Sequence, residues 1–137
     1  MISRRTLLVA LLVLCTAFVA CRKTANIITP ENTIPETPGH KLTMAEVEAA
    51  IIRGGNDRKW TMSKEAPGRI TATTIVHGKH SITVDVNYTQ TSFEIKYRDS
   101  SNMNSDGVRI HPHYNDWVMN LSNSITREIN IAQDSKK

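Results

Sequence analysis

Residues 69–98, RITATTIVHGKHSITVDVNYTQTSFEIKYR, decide the fold. Ile70, Ala72, Thr74 and Val76 alternate with Thr71, Thr73 and Ile75. Ile82, Val84, Val86 and Tyr88 alternate with Thr83, Asp85 and Asn87, and Phe93, Ile95 and Tyr97 alternate with Glu94, Lys96 and Arg98. Period-two alternation in consecutive runs split by short turns describes strands with one dry and one wet face, joined as an antiparallel meander. Keeping the apolar sets together across the first hairpin requires an odd loop around Gly78, with that glycine at positive φ. Across the second hairpin the apolar residues change parity, so a two- or four-residue loop around Thr89-Gln90 fits. Either choice sets Asp99 opposite His80 or Ile82.

Working outward, Trp60 and Met62 alternate with Lys59, Thr61 and Ser63 before Pro67-Gly68, which adds a first short strand. Before it, Thr43-Met44-Ala45-Glu46 has the form of a capping box, and Met44, Val47, Ala50 and Ile51 make an apolar stripe. These predict a helix over 44–53, with Gly54-Gly55 as its stop. After the meander, Pro112 suits a first helical turn, and Tyr114, Trp117, Val118, Leu121, Ile125 and Ile129 continue at helical spacing to about Ala132. The expected class is α+β: a two-layer α-β-β-β-β-α domain, with a four-stranded antiparallel meander and two helices packed on one face.

The N-terminal residues, MISRRTLLVALLVLCTAFVAC, pair two arginines with an apolar run from Leu7 to Ala20. That run of 14 residues is short for a membrane span and has the length and positive flank of a secretory signal. Phe18-Val19-Ala20-Cys21 resembles the lipobox of bacterial lipoproteins, whose cysteine is acylated before cleavage. Phe18 stands where that pattern usually has Leu. Residues 1–20 are therefore expected to be a lipoprotein signal peptide and Cys21 the lipidated N-terminus. Ser3-Arg4-Arg5-Thr6 also has the outline of a twin-arginine export signal, alongside the general secretory reading. Acylation would leave no cysteine for a disulfide, so the domain must be held by its core. Arg22, not Asp, follows the cysteine, and by resemblance to enteric sorting rules this favours the outer membrane. Residues 21–42 carry Pro30, Pro35, Pro38 and Gly39 and are expected to form an extended tether, with His40 in solvent. The folded domain is expected at 43–134, with a tail at 135–137.

The full chain has a formal charge of +4. Between Thr43 and Asp134, however, ten basic residues face eleven acidic ones. The part that folds lacks the basic excess of a nucleic-acid binder, so no nucleic-acid partner is expected. No glycine-rich phosphate loop occurs, and Ser100, Ser101 and Ser105 lack a nucleophile elbow. Trp60 and Trp117 read as core. His80, Asp99 and His111 are expected to meet at one end of the sheet as a polar cluster. Its structural reading is a lock between helix and sheet, and its chemical alternative is a metal-binding or hydrolytic centre. The wet face, with Thr71, Thr73, Thr83, Asp85, Asn87, Glu94, Lys96 and Arg98, is the leading candidate for a partner surface.

From Gly68 to Leu121 the chain resembles a family of small proteobacterial lipoproteins. The residues that carry the resemblance are Gly68, Ile70, Ala72 and Thr73, then His80, Val84, Val86 and Tyr88, then Ile95, Tyr97, Asp99, Ser100 and Asn102. Most specific is Ile110-His111 followed by Tyr114-Asn115, Trp117-Val118 and Asn120-Leu121. The resemblance implies an exported, lipid-anchored α+β domain and brings no catalytic residue with it. The combined expectation is a non-enzymatic lipoprotein in the bacterial cell envelope, facing the periplasm. No cofactor, metal or catalytic residue is assigned, and the partners would be the membrane, through the lipid, and an envelope protein or cell-wall component.

Overall fold

A computed structural model describes residues 23–136, so the expected signal peptide and the expected lipidation site, Cys21, lie outside the described residues. Four strands follow one another in sequence and in space: β3 (Thr61–Ala66), β4 (Arg69–Val76), β5 (His80–Tyr88) and β6 (Ser92–Ser101). All are antiparallel. β4 pairs with β5 so that Ile70 faces Val86, Ala72 faces Val84 and Thr74 faces Ile82, closing through the three residues His77-Gly78-Lys79. Gly78 sits at φ +68°, as the odd loop requires, and His77 precedes it at φ +52°. β5 meets β6 with Tyr88 opposite Phe93 and Val86 opposite Ile95, across the even loop at Thr89-Gln90-Thr91-Ser92.

Two helices cover the dry face. The first, α1 (Met44–Asp57), starts as its sequence dictates: the Glu46 amide donates to Thr43 Oγ1 at 3.2 Å, and the Thr43 amide donates to Glu46 Oε2 at 2.7 Å. Its end departs from expectation. The helix runs through Gly54 and Gly55, both buried, and the chain reverses beyond it at Lys59, φ +64°, with the Trp60 amide donating back to Gly55 O. The glycines serve packing instead of termination: a Cβ on Gly54 would lie 2.7 Å from Ile125 Cα in the second helix. That helix, α2 (His113–Asp134), buries Tyr114, Val118, Leu121, Ile125 and Ile129 in the stripe read from the sequence. One apolar cluster joins both helices to Ile70, Ala72, Ile82, Val84, Val86, Phe93 and Ile95 of the sheet.

The stretch expected to be a tether is part of the fold. β1 (Ala25–Asn26) pairs with β7 (Arg109–Ile110), and β2 (Glu31–Thr33) adds a fifth strand to the sheet by pairing with Ser92–Glu94 of β6. Ile34 and Leu42 are buried in the main core, and Ile27 packs against it. His40, expected in solvent, is half-buried with Nδ1 2.9 Å from Gln133 O. The physical reason is the edge of β6. An unpaired strand edge offers a row of amides and carbonyls, and a proline-flanked segment pairs with it at little cost when the prolines fall outside the ladder. Pro30 and Pro35 flank β2 in this way, and the Pro30 carbonyl still accepts the Ile95 amide at 2.9 Å.

Candidate functional site

A β-bulge decides how the expected cluster is arranged. Between Val84 opposite Tyr97 and Thr83 opposite Asp99, β6 carries one extra residue, Arg98. Without it, Asp99 would follow Phe93, Ile95 and Tyr97 onto the dry face and bury a carboxylate. The insertion moves it to the wet side, and Ser100 takes the inward place, within 2.9 Å of the Tyr97 hydroxyl. Asp99 is exposed and accepts the Ser100 amide at 2.8 Å. The expected union of His80, Asp99 and His111 is thus corrected: the carboxylate is absent from the cluster.

The histidines do converge. His77, His80, His111 and His113 line a cleft of about 190 Å³ with Met103 and Trp117. His80 Nδ1 donates to the Asn102 carbonyl at 2.9 Å, which fixes its tautomer, since a carbonyl only accepts. His111 Nδ1 accepts the His113 amide at 3.3 Å. The His111 and His113 rings lie 4.9 Å apart, His113 stacks on Trp117 at 5.9 Å, and His80 tilts against Trp117 at 6.5 Å. Among the described residues no group of three or more His, Cys, Asp or Glu side chains is arranged to hold a metal ion. The joint of strand turn, loop and helix start is built from ring stacking, hydrogen bonds to backbone and an exposed contact of His113 Nδ1 with Asp116 Oδ2 at 3.4 Å.

The wet face is cross-linked. Thr71 Oγ1 donates to Asp85 Oδ1 at 3.2 Å, and the Arg98 guanidinium donates to Thr71 Oγ1 at 3.0 Å and to Asp85 at 3.4 Å. Thr73 and Thr83 hydroxyls pair at 3.2 Å. Lys96 stands opposite Asp85 on the same face. At the other end, Asn87 Nδ2 donates to Glu94 Oε1 at 2.9 Å. Here the surface opens into a groove of about 540 Å³, lined by Glu31, Gly68, Asn87, Tyr88, Thr89 and Glu94 among others. Glu31 lies directly opposite Glu94 across the β2–β6 pair, a like-charge juxtaposition that costs stability and persists on an exposed edge. Of the wet-face residues picked out by the sequence, Asn87 and Glu94 line this groove, while Thr71, Thr73, Thr83, Asp85 and Arg98 spend their polar groups on one another. Glu31 and Thr33 were not anticipated because they lie in the supposed tether. The alternation Glu31-Asn32-Thr33-Ile34 was the available signal, with Asn32 reaching inward to Ser122 Oγ at 2.8 Å.

One titratable pair sits beneath the groove. The Tyr88 hydroxyl donates to the Glu48 carboxylate of α1 in a very short contact, and Lys64 approaches the same carboxylate at 3.1 Å. Burial, then the hydrogen bond to Glu48, pushes the Tyr88 phenol up to about 12. The same bond, with help from Lys64, holds Glu48 below the ordinary carboxylate value. The pair ties α1 to the end of β5. No protein family, curated protein or solved structure matches this chain.

Proposed function

We propose that this protein is a lipid-anchored lipoprotein of the bacterial cell envelope, facing the periplasm and most consistent with the outer membrane, whose domain binds an envelope protein or a cell-wall component without catalysing a reaction. The anchoring half rests on the signal-like N-terminus and on Val19-Ala20-Cys21. The binding half rests on the groove at the end of the wet face. Its walls combine strand backbone from β2 with carboxylates, an amide and hydroxyls, a lining suited to orienting a polar ligand or an extended peptide. The hydrolytic alternative is weakened by the position of Asp99, which stands outside the cleft; the carboxylate beside an imidazole is Asp116, 3.4 Å from His113 Nδ1, and both of those side chains are exposed to solvent.

Two measurements test the two halves. Mass spectrometry of the membrane-extracted protein should find Cys21 as the first residue, carrying acyl chains, and Cys21→Ala should leave the detergent phase. A free or internal Cys21 would end the anchoring reading. Photo-crosslinkers placed in living cells at Thr33 and Thr89, on the groove rim, should trap one common adduct that a crosslinker at the exposed Arg127 of α2 does not. An adduct pattern shared by all three positions would refute the groove as the binding surface.

A further inference from the structure

The docked N-terminal segment changes what a lipid on Cys21 would do. The strap is latched at its first described residues: Arg109 Nε donates to Thr24 Oγ1 at 2.9 Å, Nη2 to Thr24 O at 2.6 Å, and Nη1 to Asn26 Oδ1 at 3.0 Å. Asn115 Nδ2 donates to Asn26 O at 3.0 Å, and the Ile27 amide donates to Val108 O at 2.9 Å. Thr24 is three residues beyond Cys21, and at no more than about 3.6 Å per residue the two lie within roughly 11 Å of each other. A tether of some twenty residues would let the domain roam. A spacer this short does not.

The topology says which end is held. β7 leads straight into His111, whose amide donates to Met103 O at 2.8 Å, just beyond the end of β6. The β1–β7 ribbon therefore shares an end of the molecule with the β4–β5 turn and the histidine cleft. The groove lies at the start of β6, around Ser92–Glu94. Strand rises about 3.3 Å per residue, so Glu94 and Ser101 are separated by roughly 20 Å along β6.

Resting on the anchoring reading above, we infer that the surface of the anchoring bilayer is itself a partner of this domain: the β1–β7 end sits against lipid headgroups, and the groove points away from the membrane. Val108, 69% exposed in the loop beside the strap, is the apolar side chain placed to enter the headgroup layer. Lys23, Lys79 and Arg109 belong to this end, but so do Asp99, Asp106 and Asp116, and two backbone amides already occupy the Asp106 carboxylate. The short spacer, not net charge, imposes the contact. The consequence for the proposed binding role is geometric, since a ligand would be met at a fixed height above the membrane, on the side the anchor leaves open.

The test uses the full chain, processed in bacterial membranes and reconstituted into phosphatidylethanolamine and phosphatidylglycerol vesicles that carry a headgroup spin label. With Cys21 acylated, the mature chain holds no other cysteine, so Val108→Cys or Thr91→Cys takes a single fluorophore. The dye at 108 should be quenched several-fold more than the dye at 91. Inserting a long Gly-Ser spacer after Cys21, which leaves the folded part untouched, should bring the two values together. Equal quenching in protein that floats with the vesicles would overturn the seating while leaving the anchor intact. Failure of the unsubstituted chain to float would overturn both, and a difference that survives the long spacer would show that the spacer does not impose the orientation.

Discussion

Gly54→Ala is the sharpest test of how the helical layer is assembled. A Cβ at this position would stand 2.7 Å from Ile125 Cα and 2.8 Å from Ile125 N. Carbon atoms in contact prefer about 3.5–4.0 Å, so α1 and α2 would have to part by about 1 Å where they cross. The obstacle is backbone, which cannot rotate aside as a side chain can. Overpacking of this kind costs up to about 3 kcal/mol, and the better helix propensity of alanine returns about 1 kcal/mol. The net expectation is a loss of about 2 kcal/mol, or a fall in Tm of roughly 8–15 °C for a domain of this size. Gly55→Ala is the internal control. The three atoms nearest its Cβ would be Sδ at 2.1 Å, Cε at 2.6 Å and Cγ at 2.8 Å of Met62, a half-buried and flexible side chain that can swing aside, and strain and helix propensity should then cancel to within about 1 kcal/mol. Urea unfolding followed by circular dichroism on residues 23–137 measures both. If Gly54→Ala is as stable as the unsubstituted domain, or Gly55→Ala is the worse of the two, the close crossing at Gly54 does not explain why the helix carries a glycine pair.

Three further substitutions probe separate links. Ile34→Ala removes a side chain that is 3% exposed and belongs to the strap, so the same unfolding measurement should lose about 2–4 kcal/mol; no loss would mean that the strap contributes nothing to the fold. Tyr114→Phe deletes a buried hydroxyl that has no hydrogen-bond partner among the described residues, so stability should hold or rise by about 1 kcal/mol, and a clear fall would reveal a partner for that oxygen. Tyr88→Phe should flatten the pH dependence of stability at both extremes, because one hydrogen bond perturbs both groups in opposite senses. Glu48 titrates below its ordinary 4.5 in the folded protein, so its contribution is present above that value and lost as pH falls through the folded one. Tyr88 titrates above its ordinary 10, at about 12, so its contribution is present below 10 and lost as pH rises toward 12. Urea titrations at pH 3–5 and 9–11 on both proteins check this, and identical profiles would remove the Tyr88–Glu48 bond from the account.

The parts of the fold legible in the sequence are those whose information is local. The alternation of 69–98 names the dry and wet faces, hairpin parity sets the loop at Gly78, and the Thr43–Glu46 box opens α1 within its own four residues. What was not legible depends on a distant surface. Gly54-Gly55 has the same form whether it ends a helix or admits a neighbour, and only the approach of Ile125 decides between them. Ile27, Ile34 and Leu42 are scattered among prolines, with no pattern beyond the four-residue alternation at 31–34, and acquire a role only because β6 has an edge to pair and a core to cover.

The candidate site divides along the same line. The residue types of the wet face were readable from alternation alone, yet the groove on it was not, because one of its walls comes from β2, brought in by pairing across some sixty residues of chain. Asp99 shows the converse. Strict alternation places it beside the histidines, on a face where its charge would be desolvated, and that cost is what favours an extra residue at Arg98. The bulge then serves twice: it frees the core of a carboxylate, and it adds Arg98 to the wet face, where its guanidinium bridges Thr71 and Asp85. A charged residue that falls on the apolar parity of a strand is therefore better read as a sign of a register shift than as a buried catalytic group, unless a partner for its charge can be named from the same sequence.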